Sequence, residues 1–225
     1  MDNILLIETS TALCSVALAQ DGAVTSYRES SAPKAHASLT AVFIQEMLAE
    51  RGLTLADCDA ICVSKGPGSY TGLRVGVSTA KGLCFGSGKP LLAVGTLDTL
   101  VAQADEIGGI KYIIPMIDAR RMEVYTAVFE NGVQITETSP MIIDETSFAE
   151  YLEQGPCLFI GDGAGKCADV IKHPNAQFCQ CWPKASAMLV PAMAAYKEKR
   201  FEDVAYFEPF YLKEFVATVS KKKLW

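Results

Sequence analysis

The sequence predicts an α/β fold of two related lobes, each with a mixed β-sheet flanked by helices. Strand patterns alternate with helical patterns along the chain, which is typical of this class. Each half also opens with three strand-like runs. In both halves an acidic residue stands 14 residues before a turn glycine, Glu8 before Gly22 and Asp118 before Gly132. The equal spacing indicates two units of related design.

The first half begins with three strands. NILLIETS is a continuous apolar run, CSVALAQ alternates, and Asp21-Gly22 is a hairpin turn signal before AVTSYRES. Because antiparallel strands here precede alternating strands and helices, we expect a mixed sheet. The elements predicted after the meander are helix 35–51, strand 60–65, helix 70–86, strand 90–94 and helix 96–105.

The second half repeats this order, with three strands expected over 112–135. The join is expected near Asp105 to Lys111, where DEIGGIK combines paired glycines with charges. We therefore expect a first lobe over 1–105, a second lobe over 106–225 and a cleft between them. The further elements predicted are helix 145–154, strand 157–161, helix 163–172 and helix 185–199.

Composition excludes several classes of protein. The chain has 225 residues, a net charge of −6 and a pI near 5.0, which argues against a protein that wraps nucleic acid on its own. The only dense basic run, Lys221–Lys223, is interpreted as a solvated chain end. The eight cysteines include no CxxC pair, so a zinc ribbon is not expected. With no secretory leader and no long apolar span in the sequence, we expect a reduced, cytoplasmic protein without a membrane partner.

The glycine-rich stretch SKGPGSYTGLRVG, residues 64–76, follows a predicted strand and precedes a predicted helix. A phosphate-binding Walker loop would read GxxxxGK[ST], but here the lysine comes before the loop. Pro67 and Gly68 predict a tight turn, and Ser69 or Thr71 is expected to cap the following helix. The stretch therefore predicts a shaped surface rather than a phosphate cradle.

The two long helices of the first half carry more apolar or small surface than one sheet requires. Apolar residues of helix 35–51 span about 240° of its circumference, whereas packing on one sheet needs only about 100°. Small residues on helix 70–86 would let a second helix approach closely. We predict a partner surface here; the alternative is a helix covered by its own lobe. The predicted interface comprises Leu39, Phe43, Met47, Tyr70, Gly72, Arg74, Gly76, Thr79 and Leu83.

This two-lobed pattern resembles the actin-like ATPase (ASKHA) fold, which sugar kinases share. The resemblance implies a nucleotide site between the lobes. Ser10 stands where a glycine would let phosphate approach, and Glu8 is longer than the usual aspartate. We therefore expect a vestigial site and no bound cofactor. The residues at the matching positions are Glu8, Thr9, Ser10, Thr11, Asp118, Gly161 and Gly163.

Four motifs give a closer resemblance. KGPGSYTGLRVG, with ILLIETST, IDARRMEVY and GDGA, is similar to the TsaB family, also called YeaZ, from residue 4 to about 213, ending in PFYLKE. The resemblance implies a non-catalytic subunit of the tRNA threonylcarbamoyladenosine complex. It would bind the transferase TsaD, and with it the ATPase TsaE, meet tRNA only through the complex, and form a homodimer when alone.

Two alternatives remain open. An actin-like ATPase or small-molecule kinase would use Glu8, Thr11 and Asp118 in the inter-lobe cleft. A metallopeptidase relative would need two histidines four residues apart, but Thr40 stands four residues after His36. The only other histidine is His173. We therefore expect neither a metal site nor peptidase activity.

Overall fold

The first sheet of the computed structural model, which describes residues 2–104 and 107–213, has five strands. Their order is β3-β2-β1-β4-β5, in which β1 to β3 form an antiparallel meander and β4 and β5 run parallel to β1. The predicted mixed sheet is confirmed. The strands are β1 (Asn3–Glu8), β2 (Cys14–Gln20), β3 (Ala23–Ser30), β4 (Ala60–Gly66) and β5 (Leu91–Gly95).

Two long helices cover one face of this sheet. Helix α1 (Ala35–Glu50) and helix α2 (Tyr70–Ser87) form one apolar core with the sheet side chains, among them Leu5 and Ile7. The predicted cap is confirmed, because the Ser69 hydroxyl accepts a hydrogen bond from the Gly72 N–H at 3.3 Å. Among the described residues, no helix has both the length and the apolarity to cross a bilayer.

Within the described residues, the second sheet contains seven strands. Their order is β10-β7-β6-β11-β12, and the short β8 pairs with both β6 and β9. Strands β10 and β12 were not predicted, because their short, half-exposed sequences carry no clear alternation. The strands are β6 (Tyr112–Asp118), β7 (Glu123–Thr126), β8 (Phe129–Glu130), β9 (Val133–Gln134), β10 (Ser139–Ile142), β11 (Cys157–Gly161) and β12 (Ala176–Gln180).

Helices of the second half are shorter than predicted. Helix 145–154 reduces to α4 (Ala149–Leu152), because the Asp144 carboxylate caps a turn by accepting from the Thr146 N–H at 2.9 Å. Helix 163–172 reduces to α5 (Ala164–Cys167), and the chain continues in turns. In contrast, α3 (Thr96–Ala104) matches its prediction up to the last described residue.

The predicted helix 185–199 belongs with the first sheet. A 3₁₀-helix (Ala185–Met188) leads into α6 (Leu189–Lys197), and both lie on the sheet face opposite α1 and α2. Its buried side, including Ala192, covers Ile4 and Leu6. The prediction that residues 185–199 belong to a second lobe over 106–225 is therefore wrong. The division at residue 105 stays a proposal, and Asp105 itself lies outside the described residues.

Helix α3 lies between the two sheets. Its apolar residues Leu97 and Leu100 form one cluster with Ile117, Leu158 and other side chains of the second sheet. It also contacts the 3₁₀-helix that precedes α6. The inner faces of the two sheets are thus held by one shared helix.

A segment from residue 202 to 213, which we call the C-terminal strap, crosses from the first sheet to the second. The Glu202 N–H donates to the Leu91 carbonyl at 2.8 Å, and the Phe210 N–H donates to the Lys65 carbonyl at 2.7 Å. The strap then reaches the second sheet, where Lys213 forms an ion pair with Glu123. Both Glu214 of the PFYLKE motif and the run Lys221–Lys223 lie outside the described residues.

Gly72 and Gly76 of α2 pack against another part of this chain. A Cβ at Gly72 would lie 2.1 Å from the Thr9 carbonyl oxygen, and one at Gly76 would lie 2.1 Å from Thr9 Oγ1. Thr9 Oγ1 also donates to the Gly72 carbonyl at 2.9 Å. The prediction that these two glycines admit a foreign helix is wrong, because the loop after β1 already occupies the space.

Alanine substitutions in α2 should separate the buried glycines from the open ones. We expect Gly76→Ala to lower the free energy of unfolding by about 1–3 kcal/mol, since the new methyl group displaces Thr9. At Gly82 an added Cβ has no neighbour within 4 Å, so Gly82→Ala should raise that free energy by about 1 kcal/mol. Urea unfolding of both variants checks this. Equal effects of the same sign would contradict the placement of α2.

Candidate functional site

A cleft of about 910 Å³ opens between the two sheets. One wall is the loop after β1 and the loop between β4 and α2, and the other is the turn between β6 and β7. The C-terminal strap forms a third side. The principal lining residues are Ser10, Thr11, His36, Gly68, Tyr70, Asp118, Arg120, Arg121, Glu123, Tyr125, Asp162, Phe210, Tyr211 and Lys213.

The floor of the cleft carries unpaired polar atoms. Strand β1 ends at Glu8, whose fully buried carboxylate accepts a hydrogen bond from the Ser10 N–H at 2.6 Å through Oε1. Within the described part of the chain, Glu8 Oε2, Ser10 Oγ and Thr11 Oγ1 are buried without a hydrogen-bond partner. Buried hydroxyls normally find a hydrogen-bond partner, so the Ser10 and Thr11 hydroxyls, whose residues line the cleft, are placed to contact water or a ligand.

Burial raises the pKa of Glu8 from 4.5 to about 7. Between pH 4.5 and about 7 the folded chain therefore still holds a proton on Glu8, whereas the unfolded chain has released it. Because the unfolded state binds fewer protons, the stability that the protonated group contributes is present below pH 4.5 and lost as pH rises through about 7.

Replacing Glu8 with glutamine should remove this pH dependence. We expect Glu8→Gln to raise the free energy of unfolding at pH 8 by about 2 kcal/mol, because the neutral amide needs no proton. At pH 4.5 it should change little. Thermal unfolding across this range measures the effect, with the exposed Glu145→Gln as control. An identical pH profile for wild type and Glu8→Gln would contradict it.

The residues of the expected nucleotide site do not all lie in the cleft. Ser10, Thr11 and Asp118 line the cleft. Glu8 lies beneath them, and Thr9 points away to hold α2. The cleft thus brings together only part of the expected set.

The two glycines of that set, Gly161 and Gly163, instead allow neighbouring strands to pack closely. Gly161 has φ 131°, and a Cβ there would lie 2.2 Å from the Met116 carbonyl oxygen. A Cβ at Gly163 would lie 2.9 Å from a methyl group of Val124. Neither glycine is among the residues that line the cleft. The residue between them, Asp162, is the one that reaches the cleft.

The β6–β7 turn forms the second wall and is tightly held. The Asp162 carboxylate accepts from the Asp118 N–H at 2.9 Å, and Asp118 accepts from the Arg120 N–H at 2.8 Å. Lys166 pairs with Asp118 and donates to two carbonyls of the turn. Burial raises the pKa of Asp162 to about 6. This wall therefore presents fixed polar groups.

Four cleft residues on the strap, 210 to 213, were not predicted from the sequence. Phe210 and Tyr211 line the cleft, and the rings of Tyr70 and Tyr211 stand 4.9 Å apart. Lys213 lies 5.8 Å from the centre of the Tyr125 ring. The only signal in the sequence is the cluster of aromatics in FEPFYLKE, which has no helical or strand period.

The expected partner residues on α1 and α2 divide by exposure. Met47 is fully buried, so its inclusion is wrong, as it is for Gly72 and Gly76. Arg74 is exposed. The remaining members are half-buried, namely Leu39, Phe43, Tyr70, Thr79 and Leu83.

The most exposed apolar side chains of these helices are not among the predicted residues. Phe85 is 88% exposed and Val42 is 42% exposed. A Cβ at Gly82 or Gly86 would have no neighbour within 4 Å. We call Gly82, Phe85 and Gly86, which share one side of α2, the Phe85 face. In the sequence this face is marked only by one aromatic residue among the small residues at positions 78, 82 and 86 of α2.

The two histidines have structural contacts. His36 Nε2 lies 2.8 Å from the Thr11 carbonyl oxygen and joins α1 to the loop after β1. His173 Nδ1 accepts from the Asn175 N–H at 3.1 Å. Over residues 2–104 and 107–213, no three histidine, cysteine or acidic side chains converge in a way that could hold a metal ion.

Known proteins resemble this chain along almost its whole length. The family model described as TsaD, tRNA N6-adenosine threonylcarbamoyltransferase, matches residues 29–221. The tRNA threonylcarbamoyladenosine biosynthesis protein TsaB of Escherichia coli K12 is 33% identical, over 95% of this chain and 96% of the relative.

Solved structures show the same likeness. YeaZ from Pseudomonas aeruginosa superimposes with a TM-score of 0.81 and 28% identity, over 94% of this chain and all of that chain. An activator of 2-hydroxyisocaproyl-CoA dehydratase from Clostridium difficile, at 10% identity and a TM-score of 0.50 over 88% of this chain and 96% of that chain, shows the fold alone. The predicted actin-like fold is confirmed.

Proposed function

Since this chain belongs to the TsaB family of tRNA threonylcarbamoyladenosine biosynthesis proteins, we propose that it is a non-catalytic scaffold subunit that binds TsaD in the cytoplasm. TsaD is the subunit that transfers threonylcarbamoyl to the adenosine beside the anticodon. Through TsaD the chain also joins the ATPase TsaE. It meets tRNA within that complex.

The Phe85 face is the observation that carries this proposal. Phe85 holds a large ring in water at 88% exposure, and burying such a side chain contributes about 1.5–3 kcal/mol. Beside it, Gly82 and Gly86 leave the helix backbone accessible. A second helix can therefore lie close to α2 with Phe85 as its anchor.

The same face explains the homodimer that we propose for the chain without its partner. An open apolar surface can pair with its own copy about a two-fold axis. Sedimentation at increasing concentration measures this. A monomer at every concentration would contradict the homodimer.

A scaffold role is also supported by the position of the acidic groups. Glu8 lies under the cleft floor, and Asp118 is paired with Lys166, so neither carboxylate is presented free to a reacting group. TsaD supplies the chemistry in this proposal. This chain supplies a docking surface.

Reconstitution tests the proposal. TsaD, TsaE, tRNA and the activated threonylcarbamoyl donor are combined with and without this chain, and the modified adenosine is measured. We expect modification only when the chain is present, and none from the chain with donor and tRNA alone. Full modification without the chain would contradict the scaffold role.

An actin-like ATPase or kinase remains the second candidate, favoured by the unpaired Ser10 and Thr11 hydroxyls in the cleft. Calorimetric titration of the isolated chain with Mg-ATP separates the two. Tight binding with turnover would support the enzyme. No turnover is expected from a scaffold with a vestigial site.

A further inference from the structure

The backbone of the β6–β7 turn is strained at two neighbouring arginines. Arg120 has φ 71° and Arg121 has φ 51°, in the left-handed region that costs a residue with a Cβ about 1–2 kcal/mol. Strain of this kind persists where surrounding contacts enforce it, and it clusters at functional sites. Here Lys166 enforces it by donating to the carbonyls of Arg121 and Glu123, both at 2.7 Å.

Among the described residues, no acidic side chain of the cleft pairs with these two arginines. Of the cleft's three acidic side chains, Asp118 pairs with Lys166 and Glu123 with Lys213. Asp162 accepts from a backbone N–H. Neither guanidinium of Arg120 and Arg121 has an ion pair or hydrogen bond within residues 2–104 and 107–213. The cleft therefore offers two adjacent cations to an anionic ligand.

Aromatic rings line the mouth of the same cleft. Tyr211 is 38% exposed and stands 4.9 Å from Tyr70, over which the Arg74 guanidinium lies at 5.1 Å. Aromatic rings beside cations are the platform on which proteins stack the bases of single-stranded nucleic acid.

The cleft floor adds hydroxyl groups without partners. Ser10 is fully buried and Thr11 is 5% exposed, and both line the cleft with hydroxyls that no described residue satisfies. Such groups are suited to the 2′-hydroxyl and phosphate oxygens of a ribonucleotide. This observation is independent of the arginines and the rings.

We propose that the cleft mouth binds a single-stranded RNA segment, with phosphates at Arg120 and Arg121 and a base on Tyr211. Two adjacent guanidiniums suit neighbouring phosphates of a backbone, and the strap rings of Phe210 and Tyr211 suit more than one base. The choice of RNA rests on the proposed function in tRNA modification. The cations and rings themselves do not depend on it.

Fluorescence anisotropy of a labelled, unstructured oligoribonucleotide tests this on the full chain without TsaD. The double variant Arg120→Asn with Arg121→Asn should weaken binding at least about tenfold and reduce the salt slope by about 1.4, which is two phosphate contacts. Asparagine adopts the left-handed region more readily than arginine, so this variant should unfold no earlier than wild type. Tyr211→Ala should weaken binding about tenfold with an unchanged salt slope.

The matched control removes two positive charges elsewhere. Lys172→Ala with Arg200→Ala changes two exposed ion pairs outside the cleft and should leave RNA binding unaltered. No binding by wild type, or equal losses in control and Arg120/Arg121 variant, would overturn the proposal. Displacement of the RNA by ATP at equal affinity would also overturn it in favour of a mononucleotide site. Because TsaD is absent, these outcomes are separate from failure of the scaffold role.

Discussion

Replacing Gly82 with arginine is expected to weaken the complex with TsaD strongly while making the isolated chain slightly more stable. Arginine has a higher helix propensity than glycine, by roughly 0.5–1 kcal/mol, and its Cβ meets open space. In the complex, the long side chain would separate the two helices. We expect a loss of about 3 kcal/mol in binding, roughly a hundredfold in affinity.

Co-purification and calorimetric titration with TsaD measure this effect. Ala194→Arg on α6 is the matched control, because Ala194 is also exposed on a helix but lies on the opposite side of the first sheet. Its complex should form as in wild type. Normal TsaD binding by Gly82→Arg, or equal losses in both variants, would remove the Phe85 face from the interface.

Replacing Lys166 with methionine is expected to be the most destabilising of the proposed substitutions. All three ammonium protons are used, since Lys166 pairs with Asp118 and donates to the carbonyls of Arg121 and Glu123. Its loss leaves the strained turn without support. We expect the free energy of unfolding to fall by about 3 kcal/mol.

Thermal and urea unfolding measure this loss, with hydrogen exchange of residues 118–123 as a local readout. Lys172→Met is the matched control, because Lys172 is exposed and pairs with Asp169 at 3.8 Å. That variant should change stability by less than about 0.5 kcal/mol. Comparable losses in the two variants would show that Lys166 has no special role in holding the turn.

The first half of the fold was predictable because its elements are long and strongly patterned. Helices α1 and α2 match their predictions to within one residue at each end. Helices α4 and α5 have only four residues each, too few for a period to reveal their ends. The return of α6 to the first sheet was not predictable, since its apolar side fits either sheet.

The candidate site was only partly predictable for a similar reason. The sequence predicts that small residues of α2 admit a second helix, but it could not show that Thr9 fills the space beside Gly72 and Gly76. Spacing placed Glu8 and Asp118 at corresponding positions, but only the structure shows that Glu8 is buried. The strap has no period, so Tyr211 was missed.

Photo-crosslinking from position 85 tests the central claim most directly. A photoreactive phenylalanine analogue at Phe85 changes an 88% exposed ring without disturbing the core. Irradiation of the complex is expected to join this chain covalently to TsaD in high yield, whereas the same analogue at Ala194 should give none. A complex that forms normally yet yields no crosslink from position 85 would show that TsaD docks elsewhere.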